Sequence, residues 1–192
     1  MAVQLQFVVL FALFLSLARA TENTGKPVIN QDIYTFFKEN PGLWVYNTTE
    51  GNKTGGIICR HDVKVNITQE TIFFNRSKNK SESELLKGNF MNWHEVETAP
   101  NNSMYVYDTA DQIVGAEILD FSSKNNLCGV FTVMVYKEGN SKVHREVRVS
   151  DKLREIKPDN ECSENFEELL RELETVPTIG KQGTSHYSTS CQ

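Results

Sequence analysis

Val143-His144-Arg145-Glu146-Val147-Arg148-Val149 reads as a strand with two chemically different faces. Successive strand side chains point to opposite sides, so Val143, Arg145, Val147 and Val149 share one face and His144, Glu146 and Arg148 the other. The same β-branched and aromatic richness recurs upstream, over residues 43–46, 56–68, 71–75, 89–95, 104–109, 114–121 and 127–137. Asn, Gly, Ser and Lys punctuate these runs at Gly51-Asn52, Lys78-Asn79-Lys80-Ser81, Lys124-Asn125-Asn126 and Gly139-Asn140-Ser141. Such residues favour turns through local hydrogen bonding and tolerance of unusual φ. Eight short strands at fairly regular spacing, residues 143–150 included, predict an antiparallel sandwich or barrel.

The period changes at both ends. Residues 31–38 read as a short helix: Asn30 can cap it, Asp32 suits its first turn, and Ile33, Phe36 and Phe37 fall at i, i+3, i+4. Pro41-Gly42 stops it. Beyond Cys162, Phe166, Leu169, Leu170 and Leu173 stand at i, i+3, i+4, i+7 among acidic residues. This is an amphipathic helix ending before Pro177, and its apolar stripe needs a wall to pack on.

The first twenty residues set the compartment. Phe7 to Leu15 is an apolar run, and Ala18-Arg19-Ala20 is a small-residue exit. That is the pattern of a secretory signal peptide, and the run is too short to span a bilayer. Residues 1–20 are therefore expected to be removed, leaving 21–192 as one secreted, extracellular domain. The formal net charge is −5 with no basic stripe, which argues against nucleic acid. No other segment suits a membrane span.

The four cysteines, Cys59, Cys128, Cys162 and Cys191, are widely spaced, with no C-x-x-C pair. In a secreted chain they predict two disulfides, with three connectivities open. N-x-S/T sequons begin at Asn47, Asn52, Asn66, Asn75, Asn79 and Asn101. Those that carry glycans should lie in exposed loops or on outward strand faces.

Chemistry for turnover is missing. His61, His94, His144 and His186 are scattered without metal-ligand spacing, and there is no nucleophile elbow or phosphate loop. The expectation is a container rather than an enzyme, with no catalytic residue, cofactor or metal.

The order of these pieces carries a resemblance. Gln31-Asp32-Ile33-Tyr34, Leu43-Trp44-Val45-Tyr46, Phe73-Phe74-Asn75-Arg76-Ser77, Gly88-Asn89-Phe90-Met91-Asn92-Trp93 and Asn125-Asn126-Leu127-Cys128-Gly129-Val130-Phe131 lead to Glu146-Val147-Arg148 and the late Cys162 and Cys191. Nearly the whole mature chain resembles the tick salivary lipocalins, the tick histamine-binding protein family. The resemblance implies an all-β fold, an eight-stranded antiparallel lipocalin barrel with a short N-terminal helix and a C-terminal α-helix packed on the barrel. It also implies the disulfides Cys59–Cys191 and Cys128–Cys162. A monomer that sequesters a small host mediator at the feeding site is expected, with histamine or serotonin as the default ligand.

Amine-binding members of that family resemble one another in Cys-Asp-(Val/Ile/Leu), then Glu-Leu-(Trp/Tyr), then Cys. Here the corresponding residues are Cys128-Gly129-Val130, Glu146-Val147-Arg148 and Cys162. Glu146 is kept, whereas Gly129 and Arg148 depart from the pattern. The acid that usually follows the first helix is also replaced, near Asn40. Burying an ammonium requires a paired carboxylate, and aromatic faces help. Glu146 and Glu84 are therefore the candidate acids, with Tyr107 and Trp44 as candidate walls. Trp44 reads more readily as a barrel-floor core residue than as a ligand contact. Arg148 suggests an alternative, a lipid mediator whose carboxylate meets the guanidinium. Glu146 and Arg148 share a strand face, so they can also neutralise one another. A third reading is a protein-binding immunomodulator with a filled barrel.

Overall fold

The computed structural model describes residues 31–50, 57, 59–78, 82–95, 97–138, 141–173, 184–185 and 187–191. The expected signal peptide lies outside the described residues, as do the sequon residues Asn52 and Asn79.

The chain enters through helix α1 (Ile33–Glu39). Its cap is Asp32, not Asn30. The Asp32 carboxylate accepts hydrogen bonds from the Thr35 amide at 3.0 Å and the Thr35 hydroxyl at 2.6 Å, satisfying a donor the first turn leaves free. Asn40 closes the helix by donating its amide to Phe36 O at 2.8 Å and Asn126 O at 2.7 Å. The position where the resemblance expected an acid is thus a buried tie between α1 and the turn before the seventh strand.

Eight strands follow: β1 (Gly42–Thr48), β2 (Arg60–Ile67), β3 (Thr71–Lys78), β4 (Glu82–Met91), β5 (Ser103–Tyr107), β6 (Ile113–Ser122), β7 (Cys128–Val135) and β8 (Lys142–Ser150). Each pairs antiparallel with the next, and β1 also pairs with β8, so the sheet closes on itself. Closure leaves no free edge in the barrel. A two-residue strand, β9 (Thr184–Ser185), adds to β1 outside the ring. β4 begins at Glu82, seven residues before the expected start at Asn89. Its first residues, Glu82 to Leu85, are exposed, so the lack of an apolar face hid a segment that the β3 ladder holds in register.

Helix α2 (Asn160–Leu173) starts on Asp159, whose carboxylate accepts from the Cys162 amide at 2.8 Å. Phe166 and Leu170 pack with Val130, Val147, Val149 and Ile156 on the outside of the barrel. Cys128–Cys162 fastens the start of this helix to β7, and Cys59–Cys191 ties the tail to the approach to β2. This is the pairing that the resemblance implies.

Inside, α1 plugs one end. Ile33, Phe36 and Phe37 pack with Leu43, Ile72, Phe74, Leu119 and Phe131. Phe36 meets Phe131 edge-on at 5.5 Å between ring centres, a favourable aromatic geometry.

Candidate functional site

β8 turns its polar face inward. His144, Glu146 and Arg148 point into the lumen and are buried, while Val147 and Val149 face out beneath α2. The usual apolar-in pattern is inverted because the outer face has its own apolar cover. β2 shows a related inversion: Arg60 and Asp62 are buried inside, and Val63 lies exposed outside.

The inward charges form one network across the lumen. Arg76 on β3 donates from Nε and Nη2 to Asp62 at 2.9 and 2.7 Å, and from Nη2 to Glu117 on β6 at 2.7 Å. Arg148 donates from Nη1 to Glu117 at 2.6 Å and from Nε to Glu146 at 2.9 Å. Arg60 pairs with the same Glu146 oxygen. The other Glu146 oxygen lies 2.8 Å from His144 Nε2. Three guanidinium groups therefore meet three carboxylates, with His144 at the side.

Electrostatics follows from this pairing. Burial alone would raise the Glu146 carboxyl, but Arg60, Arg148 and His144 overturn that and hold it well below the usual carboxylate range. Burial likewise opposes ionisation of Glu117 and Asp62. Arg148 and Arg76 win at Glu117, and Arg76 leads at Asp62, so both sit below their ordinary values. Burial works against the charge on Arg148 and Arg76 too, and the facing carboxylates reverse it and raise both. The network rests on the aromatic residues that α1 packs against: Arg148 lies over the Phe131 ring at 4.4 Å and Arg76 over Phe74 at 5.2 Å, within cation–π reach.

Beyond the network the lumen opens into a cavity of about 400 Å³. Its buried end is Arg60, Arg76, Glu117 and His144; its walls include Leu86, Val106, Val114 and Val133. Glu50, Lys78, Glu84, Asp108 and Lys137 also line it. The volume falls within the range of small-ligand sites. Among the described residues lining it, Arg60 has a buried polar atom without a hydrogen-bond partner, its Nε–H.

The residues singled out from sequence are not gathered in one place. Glu146 and Arg148 lie together in the network, each already paired. Glu84 lines the cavity from an exposed position on β4. Tyr107 is not among the cavity residues; the Lys87 ammonium stands over its ring at 4.9 Å. Trp44 lies on the outer wall, stacked on His61 at 4.0 Å and edge-on to Tyr187. Alternation puts it there, since its neighbour Leu43 takes the inward place. Arg60, Asp62, Arg76 and Glu117 escaped the sequence reading. Glu117 carried a usable signal, a single acid inside the apolar run Val114-Gly115-Ala116-Glu117-Ile118-Leu119.

Ligand atoms of Glu50, His144 and Glu146 lie within 4.8 Å of one another. Arg60 already places a fixed positive charge on Glu146, so this donor set does not suit a divalent cation. Cys128 and Cys162, beside Asp159, are joined as a disulfide.

Of the sequon residues, Asn66 and Asn75 are exposed on β2 and β3, whereas Asn47 and Asn101 are half-buried. No helix among the described residues is long and apolar enough to cross a membrane.

No family model and no curated protein matches the chain. Solved structures do. The siderocalin Ex-FABP is similar with a TM-score of 0.52 at 7% identity, over 73% of this chain and 91% of that one. Apocrustacyanin C2 is similar with a TM-score of 0.52 at 7% identity, over 82% of this chain and 80% of that one. Both are lipocalins, and the closed eight-stranded antiparallel barrel with its C-terminal helix is the lipocalin fold.

Proposed function

We propose that this chain is a secreted, non-enzymatic lipocalin that sequesters a small amphiphile bearing an acidic headgroup. Residues 1–20 act as its signal peptide and 21–192 as its single domain. The likeness to tick salivary lipocalins supports a role in capturing a host mediator at a feeding site. The siderocalin Ex-FABP functions through dual ligand specificities, and its likeness in fold supports a barrel used for binding.

One observation carries the choice of ligand class. Each buried carboxylate of the lumen already faces a guanidinium, and the guanidinium of Arg60, whose buried Nε–H has no partner, lines the cavity. The buried end of the site offers donors, and a carboxylate is the acceptor that matches an arginine fork. The aliphatic walls suit a hydrocarbon chain. Histamine or serotonin would need a free buried carboxylate, and Glu146 is committed to Arg60, Arg148 and His144.

The test is calorimetric titration of the mature, disulfide-intact protein with histamine, serotonin, a leukotriene and a fatty acid. Heat is expected with the two acids. Arg60→Gln should weaken acid binding by about tenfold, the value of one lost charge-assisted contact, and Arg60→Lys should retain part of it. Binding of amines with silence toward acids overturns the ligand class. Silence toward all four favours a protein partner.

A further inference from the structure

The barrel has two kinds of outer wall. Where α2 lies, Val130, Val147 and Val149 are at most 2% exposed. On β2–β4, Val63, Val65, Phe73 and Leu85 stand between 37% and 57% exposed. Register places them side by side. Val63, Asn75 and Leu85 form one cross-strand row, and Asn66, Phe73 and Lys87 the next. Asn75 is thus the exposed polar residue at the centre of an apolar patch, and it begins the sequon Asn75-Arg76-Ser77. Phe73 stands two residues before it, on the same face of the same strand.

We infer that Asn75 carries an N-linked glycan whose first sugars lie across Phe73, Val63 and Leu85 and serve as the cover that α2 supplies to the opposite wall. The attached N-acetylglucosamine has a face of C–H bonds, polarised toward positive, which suits contact with an aromatic face carrying negative quadrupole charge. Its other face is hydroxylated and returns water to the surface. The sugar is bound covalently at the middle of the patch, so contact costs little lost translational freedom. Uncovered apolar patches of this kind mark association sites. The inference rests on the reading of the chain as secreted, since N-glycans are added in the secretory pathway.

The experiment is expression of the full chain from Met1 in insect cells, followed by glycopeptide mass spectrometry of the secreted protein. Asn75 should be occupied. Enzymatic removal of the glycans should lower Tm by roughly 2–4 °C, the shift that a modest surface contribution produces in a chain of this size. Binding of an apolar-surface dye should rise several-fold. Asn75→Gln and Ser77→Ala each destroy the sequon and should reproduce both changes; Asn101→Gln should reproduce neither. Phe73→Ser keeps the sequon and should shrink the Tm gap between glycosylated and stripped protein. Secreted protein glycosylated elsewhere but bare at Asn75 overturns the inference alone. So does an occupied Asn75 whose loss changes neither Tm nor dye binding, or a glycosylated protein that dimerises through this wall. Retention in the cell with every sequon empty overturns the inference and the secreted reading together.

Discussion

Below the network, the lumen is filled by α1: Ile33, Phe36 and Phe37 against Phe74, Leu119 and Phe131, with no side-chain charge. At the network, the same lumen is filled by three arginines and three carboxylates, all but one of them under a tenth exposed. Both fill the lumen below the cavity. They respond differently to damage. An apolar cluster loses contacts in proportion to what is cut away. An ion network turns each deletion into a charge stranded in low dielectric. The ionic half should therefore be the more brittle, and its brittleness should depend on charge balance rather than on volume.

Acid should produce the largest effect. Asp62, Glu117 and Glu146 all sit below their ordinary values in the folded chain, Glu146 most clearly. They bind protons less readily there than when unfolded, so their contribution to stability is complete above the unfolded carboxylate values of about 3.9–4.3. It is lost as pH falls below about 4, through the folded values. Asp120, raised by burial despite its Thr132 hydrogen bond, works the other way and gains stability as it takes its proton. Urea melts across pH 2–7 should show a plateau near neutrality and a steep fall below about pH 4. A flat profile there would mean that the network contributes no net stability.

Arg148→Met comes next. It takes one guanidinium from both Glu117 and Glu146, leaving three buried carboxylates to two arginines, and should cost about 3–5 kcal/mol in urea unfolding, although Met fills much of the volume. Adding Glu117→Gln restores balance, because Arg60 remains on Glu146 and Arg76 on Asp62. The double variant should be more stable than Arg148→Met alone. Additive losses would mean that volume, not charge balance, governs this half as it does the other.

The same contrast marks how far the sequence could be read. Eight strands, two helices and an antiparallel sandwich or barrel were legible because they rest on local periodicity and turn chemistry, and the resemblance to a known family narrowed the choice to a barrel. The two faces of β8 were legible too. Which face points inward was not, since both the lumen and the α2 contact offer burial and only the closed barrel decides between them. Trp44 was drawn toward the lumen by its chemistry and put outside by the parity of β1. Arg60, Asp62, Arg76 and Glu117 come from β2, β3 and β6, scattered over Arg60 to Glu117 in sequence. No local spacing joins them, because their meeting depends on the curvature of the whole sheet. Even the pair that was noticed, Glu146 and Arg148, has its decisive partners elsewhere.

Gly129 gives the smallest effect and the finest test of the apolar half. A Cβ there would stand 2.9 Å from Phe36, 3.0 Å from Phe131 and 3.1 Å from Leu119. These atoms belong to packed core side chains, which yield poorly to an added methyl. Gly129→Ala should cost about 1–3 kcal/mol in urea unfolding, the usual penalty of overpacking. This also explains the departure from the amine-binding pattern, in which an Asp follows the cysteine. At this position a carboxylate would be pressed among Phe36, Phe131 and Leu119, opposite Arg148 in the β7–β8 register, whose guanidinium is already committed to Glu117 and Glu146. Gly129→Asp should therefore destabilise more than Gly129→Ala and confer no histamine binding. If Gly129→Asp instead folds as well as the parent and binds histamine, the plug is looser than its packing indicates, and the lumen can be remade as an amine site by one residue.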